Sequence, residues 1–267
     1  MPRSPSFEEL VQQRLTSRER IAHAKAITEE LTRRINLPLS LHEANRIIGY
    51  SDTLSSQIPA SYAGHAFRDL TDAMFRYEVV QLLAVWDPPD PDLDRIAFSL
   101  QAVATLCDNN DVIGSLAEEH FRAHASRGTR FLSLPEDEAL RSIATDVFER
   151  DQLQFAKEQA NQCDFELRKA IEEVRDTVDA PYFIGLKNYR NKVAHSLPRT
   201  RIEKQCGSAI PVKYGYEREL LNTTIKLIES FYCWVNGISF SIEDDCREFA
   251  KRCAEELWLN CKFQIDD

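Results

Sequence analysis

The sequence predicts an all-α protein, a bundle of helices without a β-sheet. Three observations favour this class. The 267 residues contain only 8 glycines, and most of the 11 prolines lie between periodic segments, where proline begins or ends a helix. Apolar residues recur every three or four positions over long stretches, which is the spacing of one helix face. Runs of β-branched residues, which favour strands, are nearly absent.

Two capping patterns predict the helices at the beginning of the chain. Ser6 and Glu9 have the spacing of a capping box, in which each residue satisfies a free backbone N–H of the other. We therefore expect a first helix that runs to about Ile35. Ser40 and Glu43 repeat the spacing, which predicts the start of a second helix.

Two helices joined by a proline-rich break are predicted next. Residues 60–86 form the first, and its predicted buried stripe is Phe67, Leu70, Met74, Tyr77, Val80 and Ala84, broadened near the end by Val79, Leu82, Leu83 and Trp86. The run Asp87-Pro-Pro-Asp-Pro ends this helix and begins another. One face of the second helix carries Leu93, Ile96, Leu100, Val103 and Leu106.

Helices also account for most of the second half of the chain. A very long charged helix is predicted from Pro135 to about Thr177, because no breaker interrupts the pattern. The other expected elements are helices over residues 110–125, 181–197, 217–237 and 241–261, with an irregular segment at 198–215.

Composition limits the classes of function. A net charge of −10 argues against a general nucleic-acid coat protein, because such binding depends on neutralising phosphates. No glycine-rich phosphate loop is present, which argues against a nucleotide hydrolase. The chain shows neither a secretory leader nor a run of 18 apolar residues, and its seven cysteines form no CxxC pair. We therefore expect a cytoplasmic protein with reduced thiols.

One segment departs from this acidic background. Residues 185–213 contain seven basic residues and one acid, a local charge of +6 that leaves −16 on the remainder of the chain. Such an asymmetry concentrates an anionic ligand at one place. The basic residues are Lys187, Arg190, Lys192, Arg199, Arg201, Lys204 and Lys213, and the acid is Glu203.

Helical spacing within this segment separates a polar face from an apolar one. Lys187, Arg190, Asn191 and His195 share one face, and the apolar residues Leu186, Tyr189, Val193 and Leu197 share another. Arg190 and His195 are five residues apart, or about 140° around an ideal helix. They meet at one ligand only if the helix ends near His195 or a second subunit completes the site.

Arginine and histidine together suit chemistry at a phosphodiester. Histidine, with a reference pKa of about 6.5, exchanges protons near neutral pH, and a guanidinium stabilises charge on phosphate oxygens. RNA carries its own nucleophile, the 2′-OH, so no metal is required. The spacing itself does not decide the matter, because Arg18 and His23 repeat it without a neighbouring Asn, and an ordinary solvated helix face remains an alternative.

The stretch "RNKVAHS" (190–196) resembles the R-N-x-x-x-H motif of HEPN domains. The preceding "FRDLTDAMFRYEVVQLLAVWD" is similar to helices of the abortive-infection branch of that family. In outline the resemblance covers roughly residues 60–260, and its specific part is about ten residues long. It divides the chain into an N-terminal helical extension, residues 1–58, and a HEPN-like helical domain, residues 59–267.

The resemblance implies a helical bundle that forms a homodimer with two motif copies facing one cleft. It implies endoribonuclease activity that needs no metal or cofactor and leaves a 2′,3′-cyclic phosphate, in phage defence or as a toxin. Arg190 would bind the scissile phosphate, His195 would be the acid–base group and Asn191 would orient it. The expected further RNA contacts are Lys187, Lys192, Arg199 and Arg201.

Two further points bear on this expectation. A toxin subgroup of the family carries, two residues after the histidine, a tyrosine that a partner modifies, whereas this chain has Leu197 there. Leu197 therefore argues against control by such a modifying partner, and an antitoxin or other regulatory partner stays an open expectation. A non-catalytic module that binds RNA, a nucleotide or a protein through the same basic face is the competing interpretation.

His120 and His124 have a metal-ligand spacing, but without a third ligand a solvated face is the expected arrangement.

Overall fold

The computed structural model describes residues 5–58, 60–93, 96–126, 137–193 and 210–263. Every regular element in these ranges is helical, which confirms the predicted all-α class. None of the helices in the described ranges is long and apolar enough to cross a membrane. The helices are α1 (Phe7–Arg14), α2 (Ser17–Arg34), α3 (Asn36–Tyr50), α4 (Asp52–Gln57), α5 (Tyr62–Ala84), α6 (Leu100–Cys107), α7 (Asn110–Ala125), α8 (Glu138–Asp179), α9 (Pro181–Val193), α10 (Tyr216–Asn236), a π-helical turn (Glu243–Arg247) and α11 (Glu248–Trp258).

The first predicted capping box is present, but the helix that it begins is short. Ser6 Oγ accepts the Glu9 N–H at 3.2 Å, and Glu9 Oε2 accepts the Ser6 N–H at 2.7 Å. The prediction of one helix to Ile35 is wrong, because Leu15 takes an extended conformation and ends α1. Thr16 then begins α2 with its own capping box to Glu19.

The second predicted capping box, Ser40 with Glu43, is wrong. Helix α3 begins at Asn36, directly after α2, so Ser40 lies inside the helix. Glu43 is buried, and its carboxylate accepts a hydrogen bond from Arg46 Nε at 3.0 Å and lies 3.8 Å from Arg247 Nε. Glu43 therefore links α3 to the π-helical turn.

The predicted stripe on α5 is only partly buried. Leu70 and Tyr77 are about half exposed, at 49% and 48%, which contradicts their prediction as core residues. The buried apolar positions are those that were expected only to broaden the stripe: Val79, Leu82, Leu83 and Trp86. The C-terminal half of α5 thus enters the core, and its N-terminal half lies at the edge of the bundle.

After the proline-rich break, the next helix begins later than predicted. Ser99 caps α6 through the Ala102 N–H, whereas Leu93 and Ile96 pack on the core from outside any α-helix. Helix α7 has the predicted bounds, and α8 ends two residues beyond the expected Thr177. Residues 198–209 of the predicted irregular segment lie outside the described residues.

One buried cluster joins the early helices to the late ones. It includes residues of α1 and α2 together with residues of α5 to α10. Across α2 and α10, Thr28 Oγ1 donates to Asn236 Oδ1 at 2.6 Å, and Asn236 Nδ2 donates to the Lys25 carbonyl at 3.3 Å. The boundary at residue 58 stays a prediction, and the N-terminal helices share this core.

Trp86 follows α5 and lies in the core, where it contacts both α9 and α10. Its side chain is almost fully buried, and Nε1–H donates to Thr224 Oγ1 of α10 at 2.8 Å. Its ring meets the edge of Phe183 of α9, with centroids 5.6 Å apart. Trp86 therefore positions the motif helix α9 relative to α5 and α10.

Candidate functional site

Helix α9 packs closely on the beginning of α10 at Gly185. A Cβ atom at this position would lie 3.0 Å from Tyr216 Cε2, 3.1 Å from Tyr216 Cδ2 and 3.4 Å from the Pro211 carbonyl oxygen. Such distances are shorter than ordinary van der Waals contact. Glycine is therefore the residue that lets the motif helix approach α10 this closely.

The apolar side of α9 is largely where the sequence placed it. Leu186 is fully buried, and Tyr189 and Val193 are half-buried. Tyr189 meets the edge of Phe75 of α5, with ring centroids 5.7 Å apart. Leu197, the last residue of the predicted face, lies outside the described residues. Contacts to both α5 and α10 therefore hold α9 rigidly.

Arg190 forms an ion pair with Asp87, the residue that follows Trp86. Nη1 of Arg190 lies 2.7 Å from Oδ1 of Asp87. The Arg190 side chain is only 16% exposed, and that of Asp87 is 45% exposed. Nε of Arg190 is buried and has no acceptor among the residues that the structure describes. The guanidinium is thus largely buried and pairs with Asp87 through Nη1.

Sequence reasoning missed Asp87 as a site residue. The Asp87-Pro-Pro-Asp-Pro run was interpreted only as a helix break, and 103 residues separate Asp87 from Arg190. The available signal was electrostatic, since a buried guanidinium requires an anionic or carbonyl partner. That partner could not be chosen among the many acids of this chain from the sequence alone.

The motif residue Asn191 and its neighbour Asn188 lie inside the bundle. Asn191 is 8% exposed and Asn188 is 5% exposed, so neither belongs to an open polar face. Nδ2 of Asn188 donates to the Ile210 carbonyl at 3.4 Å, and its Oδ1 is buried without a partner. The expectation that Asn191 is displayed at the surface beside Lys187 and Arg190 is therefore wrong.

The remaining predicted site residues divide into two groups. Lys187 is half-buried and Lys192 is exposed on α9. His195, Arg199 and Arg201 lie outside the described residues, so their predicted roles stay predictions. Lys187, Arg190, Asn191 and Lys192 are therefore the predicted site residues that lie in the described part of α9, and of these Asn191 is buried.

A groove of about 430 Å³ adjoins the end of α9 at Val193. Its other described lining comes from α5: Asp69, Asp72, Ala73, Arg76, Tyr77 and Val80. The half-exposed Tyr77 belongs to this wall, which explains why part of the predicted stripe is not core. The groove leads from the partly buried face of α5 to the last described residue of the motif helix.

Comparison with models of protein families shows to which family the chain belongs. The model of the HEPN family AbiU2 matches residues 19–249. The chain belongs to the HEPN AbiU2 family. This match confirms the resemblance of the R-N-x-x-x-H stretch to an abortive-infection branch of HEPN domains. No curated protein and no solved structure matches the chain.

The match in this HEPN chain extends well outside the motif. It begins within α2 and ends within α11, so it includes part of the predicted N-terminal extension. Family membership carries an association with ribonuclease activity and defence. Whether this chain cleaves RNA or takes part in defence depends on its own residues.

His120 and His124, which have the spacing of metal ligands, take part in packing. His120 is buried rather than solvated, and its Nε2 lies 3.1 Å from the Trp234 carbonyl oxygen, to which a protonated Nε2 donates. The ring of His124 meets the edge of Phe155. The expectation of a solvated face is wrong for His120. No group of three or more metal-ligating side chains occurs in the described part of the chain.

Proposed function

We propose that this HEPN domain is an endoribonuclease that cleaves RNA without a metal and leaves a 2′,3′-cyclic phosphate. The observation that carries the proposal is the state of Arg190. Its stem is fixed in the bundle, its Nε has no acceptor in the structure, and its Nη1 is held by a partly exposed carboxylate. A phosphate that replaces Asp87 would meet a guanidinium already positioned for it.

The replacement is chemically reasonable. Guanidinium binds carboxylate and phosphate through the same fork of N–H donors, so Asp87 occupies the place that a phosphate oxygen would take. A phosphate also offers an acceptor to the unpaired Nε. Because the Arg190 side chain is already ordered, little side-chain entropy is lost when the phosphate binds.

The proposed reaction is an internal transesterification. The 2′-oxygen attacks phosphorus and the bond from phosphorus to the 5′-oxygen breaks. The proton of the 2′-OH passes to a base, and the leaving 5′-oxygen receives a proton. His195 is assigned to this proton transfer because it matches the motif position, and Arg190 stabilises the charge on the two non-bridging oxygens.

A homodimer is part of the proposal. The five-residue spacing places Arg190 and His195 about 140° apart around an ideal helix, so a second copy facing the first would bring both types of residue to one phosphate. Lys187 and Lys192, with Arg199 and Arg201, would hold the flanking phosphates. Defence against phage, or toxicity controlled by a partner, would follow from cleavage of cellular RNA in the cytoplasm.

Incubation of purified protein with RNA in EDTA tests the proposal. We expect wild type to cleave and to leave a 2′,3′-cyclic phosphate, detected by mass spectrometry. His195→Ala and Arg190→Ala should lose at least about a hundredfold in rate, as expected for a proton-transfer group and a charge-stabilising donor. His65→Ala and Arg33→Ala, on exposed helix positions, are the matched controls.

A second function is favoured by the same ion pair. Asp87 neutralises the charge of Arg190 in the structure, which suits a module that binds partners without cleaving RNA. In that case wild type and His195→Ala would bind RNA equally and neither would cleave it. Cleavage that persists unchanged in both motif variants would contradict the assignment of the site.

A further inference from the structure

A second pocket lies apart from the motif helix, between α3, α5 and the beginning of α10. Its volume is about 390 Å³, within the range of small-molecule sites. Helix α3 and the segment that leads into α10 supply two walls, and α5 supplies the third. The mechanism proposed above uses none of its polar residues.

One side of the pocket is a closed polar network. Glu78 is 1% exposed, and both of its oxygens are used: Oε1 lies 2.8 Å from His42 Nδ1, and Oε2 accepts from Asn45 Nδ2 at 2.6 Å. This network joins α3 to α5. It makes the pocket a built feature of the fold and gives each oxygen of Glu78 a protein partner.

A second carboxylate in the pocket is not satisfied. Glu217 is 6% exposed, and its Oε1 accepts the Gly215 N–H at 3.3 Å, but its Oε2 has no hydrogen-bond partner within the described ranges. Burial raises the pKa of Glu217, and the neighbouring Glu78 carboxylate raises it further. Glu217 is thus a buried acceptor with donors missing.

Aromatic and basic residues line the same pocket as Glu217. Tyr50 and Tyr214 meet edge to face with centroids 5.7 Å apart, and their rings are 59% and 79% exposed. Phe75 belongs to the same lining. Arg46 and Arg218 are also part of it, and the Arg218 side chain is exposed. The pocket therefore combines aromatic faces, a buried acceptor and two guanidinium groups.

We propose that this pocket binds a guanine base, with Glu217 accepting from its N1–H and 2-amino group. Guanine is the common base that presents two adjacent donors on its pairing edge, which match the two oxygens of one carboxylate. Adenine and cytosine place a ring nitrogen acceptor beside their amino group, and uracil flanks its one N–H with carbonyls. The tyrosine rings provide a stacking surface for the base.

Arg46 and Arg218 line the pocket together with Asp72, Glu78 and Glu217. A guanidinium compound such as agmatine also presents paired N–H donors and would be attracted by these carboxylates, so it is the competing ligand to test. A phosphate attached to a guanine base would be attracted by the arginines. The same chemistry is offered by a free guanine nucleotide and by a guanosine within RNA.

Equilibrium binding to the full-length protein tests the proposal, with GMP, IMP, AMP, guanosine and agmatine as probes. IMP differs from GMP only in lacking the 2-amino group. We expect GMP to bind about ten times more tightly than IMP, because the missing donor leaves a buried oxygen unpaired. Glu217→Gln should abolish this preference, and Glu219→Gln, an exposed neighbour, should preserve it.

A surface variant keeps the test informative if Glu217→Gln fails to fold. Arg218→Gln should weaken GMP several-fold and leave guanosine unchanged, because only the phosphate is affected. Short RNAs with one guanosine or one inosine form a second arm of the experiment. Binding of the guanosine RNA alone, with the same dependence on Glu217, assigns the base to RNA, and binding of GMP assigns it to a free nucleotide.

Several results would overturn the inference. Equal binding of GMP and IMP removes the role of the two donors. Agmatine binding in place of GMP identifies a cation site. Absence of binding by both the free nucleotides and the guanosine RNA shows that the pocket does not take this base. None of these results depends on RNA cleavage, so the proposed ribonuclease activity is tested separately.

Discussion

Nη1 of Arg190 lies 2.7 Å from Oδ1 of Asp87, and the arginine is the more buried partner of the pair. The first residue after Trp86 thereby contacts the motif residue that was expected to hold RNA. Because the carboxylate takes the position that a phosphate oxygen would occupy in the proposed function, Asp87 would compete with RNA for one guanidinium. The strength of this competition can be measured.

Asp87→Asn is expected to strengthen RNA binding about two- to fivefold at low salt. The substitution removes the competing negative charge and keeps the shape of the side chain, and a partly exposed ion pair contributes at most about 1 kcal/mol. Fluorescence anisotropy with a labelled RNA, repeated over a range of salt concentrations, measures the change. Asp90→Asn, in the same proline-rich run and exposed, is the control. Weaker binding by Asp87→Asn would show that Asp87 positions Arg190 rather than competing for it.

Gly185→Ala is expected to destabilise the protein by about 1–3 kcal/mol, because the added Cβ meets the Tyr216 ring at 3.0 Å. Gly114→Ala is the matched control. It also lies within a helix, but nothing approaches its Cβ within 4 Å, so it should stabilise by up to about 1 kcal/mol. Urea unfolding followed by circular dichroism gives both values. Equal effects at the two positions would mean that α9 and α10 separate easily.

Thr224→Val is expected to cost about 1–3 kcal/mol of unfolding free energy, because it leaves the buried Trp86 Nε1–H without its acceptor. Thr145→Val is the comparison, since the Thr145 hydroxyl bonds only to the Arg141 carbonyl on an exposed helix. The tryptophan emission maximum reports whether the indole stays buried. A loss no greater than that of Thr145→Val would argue against Trp86 as the junction of α5, α9 and α10.

Glu217 is expected to make the protein less stable as the pH rises. Burial raises the folded-state pKa above the ordinary value of 4.5, so the folded state binds more protons than the unfolded state between the two values. Its contribution is therefore most favourable below pH 4.5 and is lost as the pH rises through the raised pKa. Glu217→Gln should remove this slope and melt higher than wild type at pH 7. Melting curves at pH 4 and pH 7, with Glu219→Gln as control, test the sign.

Local signals in the sequence were sufficient for the helix class and for several boundaries. The Ser6 and Glu9 capping box and the bounds of α7 follow from neighbouring residues, which is why they could be predicted. The helix cap at Thr16 was not predicted because one apolar pattern continues across the break between α1 and α2. Ser40 failed because the capping spacing also occurs by chance within a helix.

The site residues within the motif could be predicted from the sequence, but their contacts with residues far away along the chain could not. The motif identified Arg190, and helical spacing correctly buried Leu186. Phe75 of α5 and Asp87, which follows that helix, contact α9 from more than 100 residues away, and no periodicity encodes such a contact. Asn191 was placed on the wrong side because spacing assigns polar residues to the surface, whereas the bundle surrounds this part of α9.

The bond between Thr28 and Asn236 spans 208 residues, and this distance affects when the site can form during synthesis. Contacts so distant along the chain slow folding much more than they weaken the folded state. On the ribosome, α2 waits for α10, and the motif helix α9 leaves the exit tunnel before α10, on which it packs at Gly185. We expect α9 to reach its final position only after α10 has been made, although its partners on and beside α5 are made earlier.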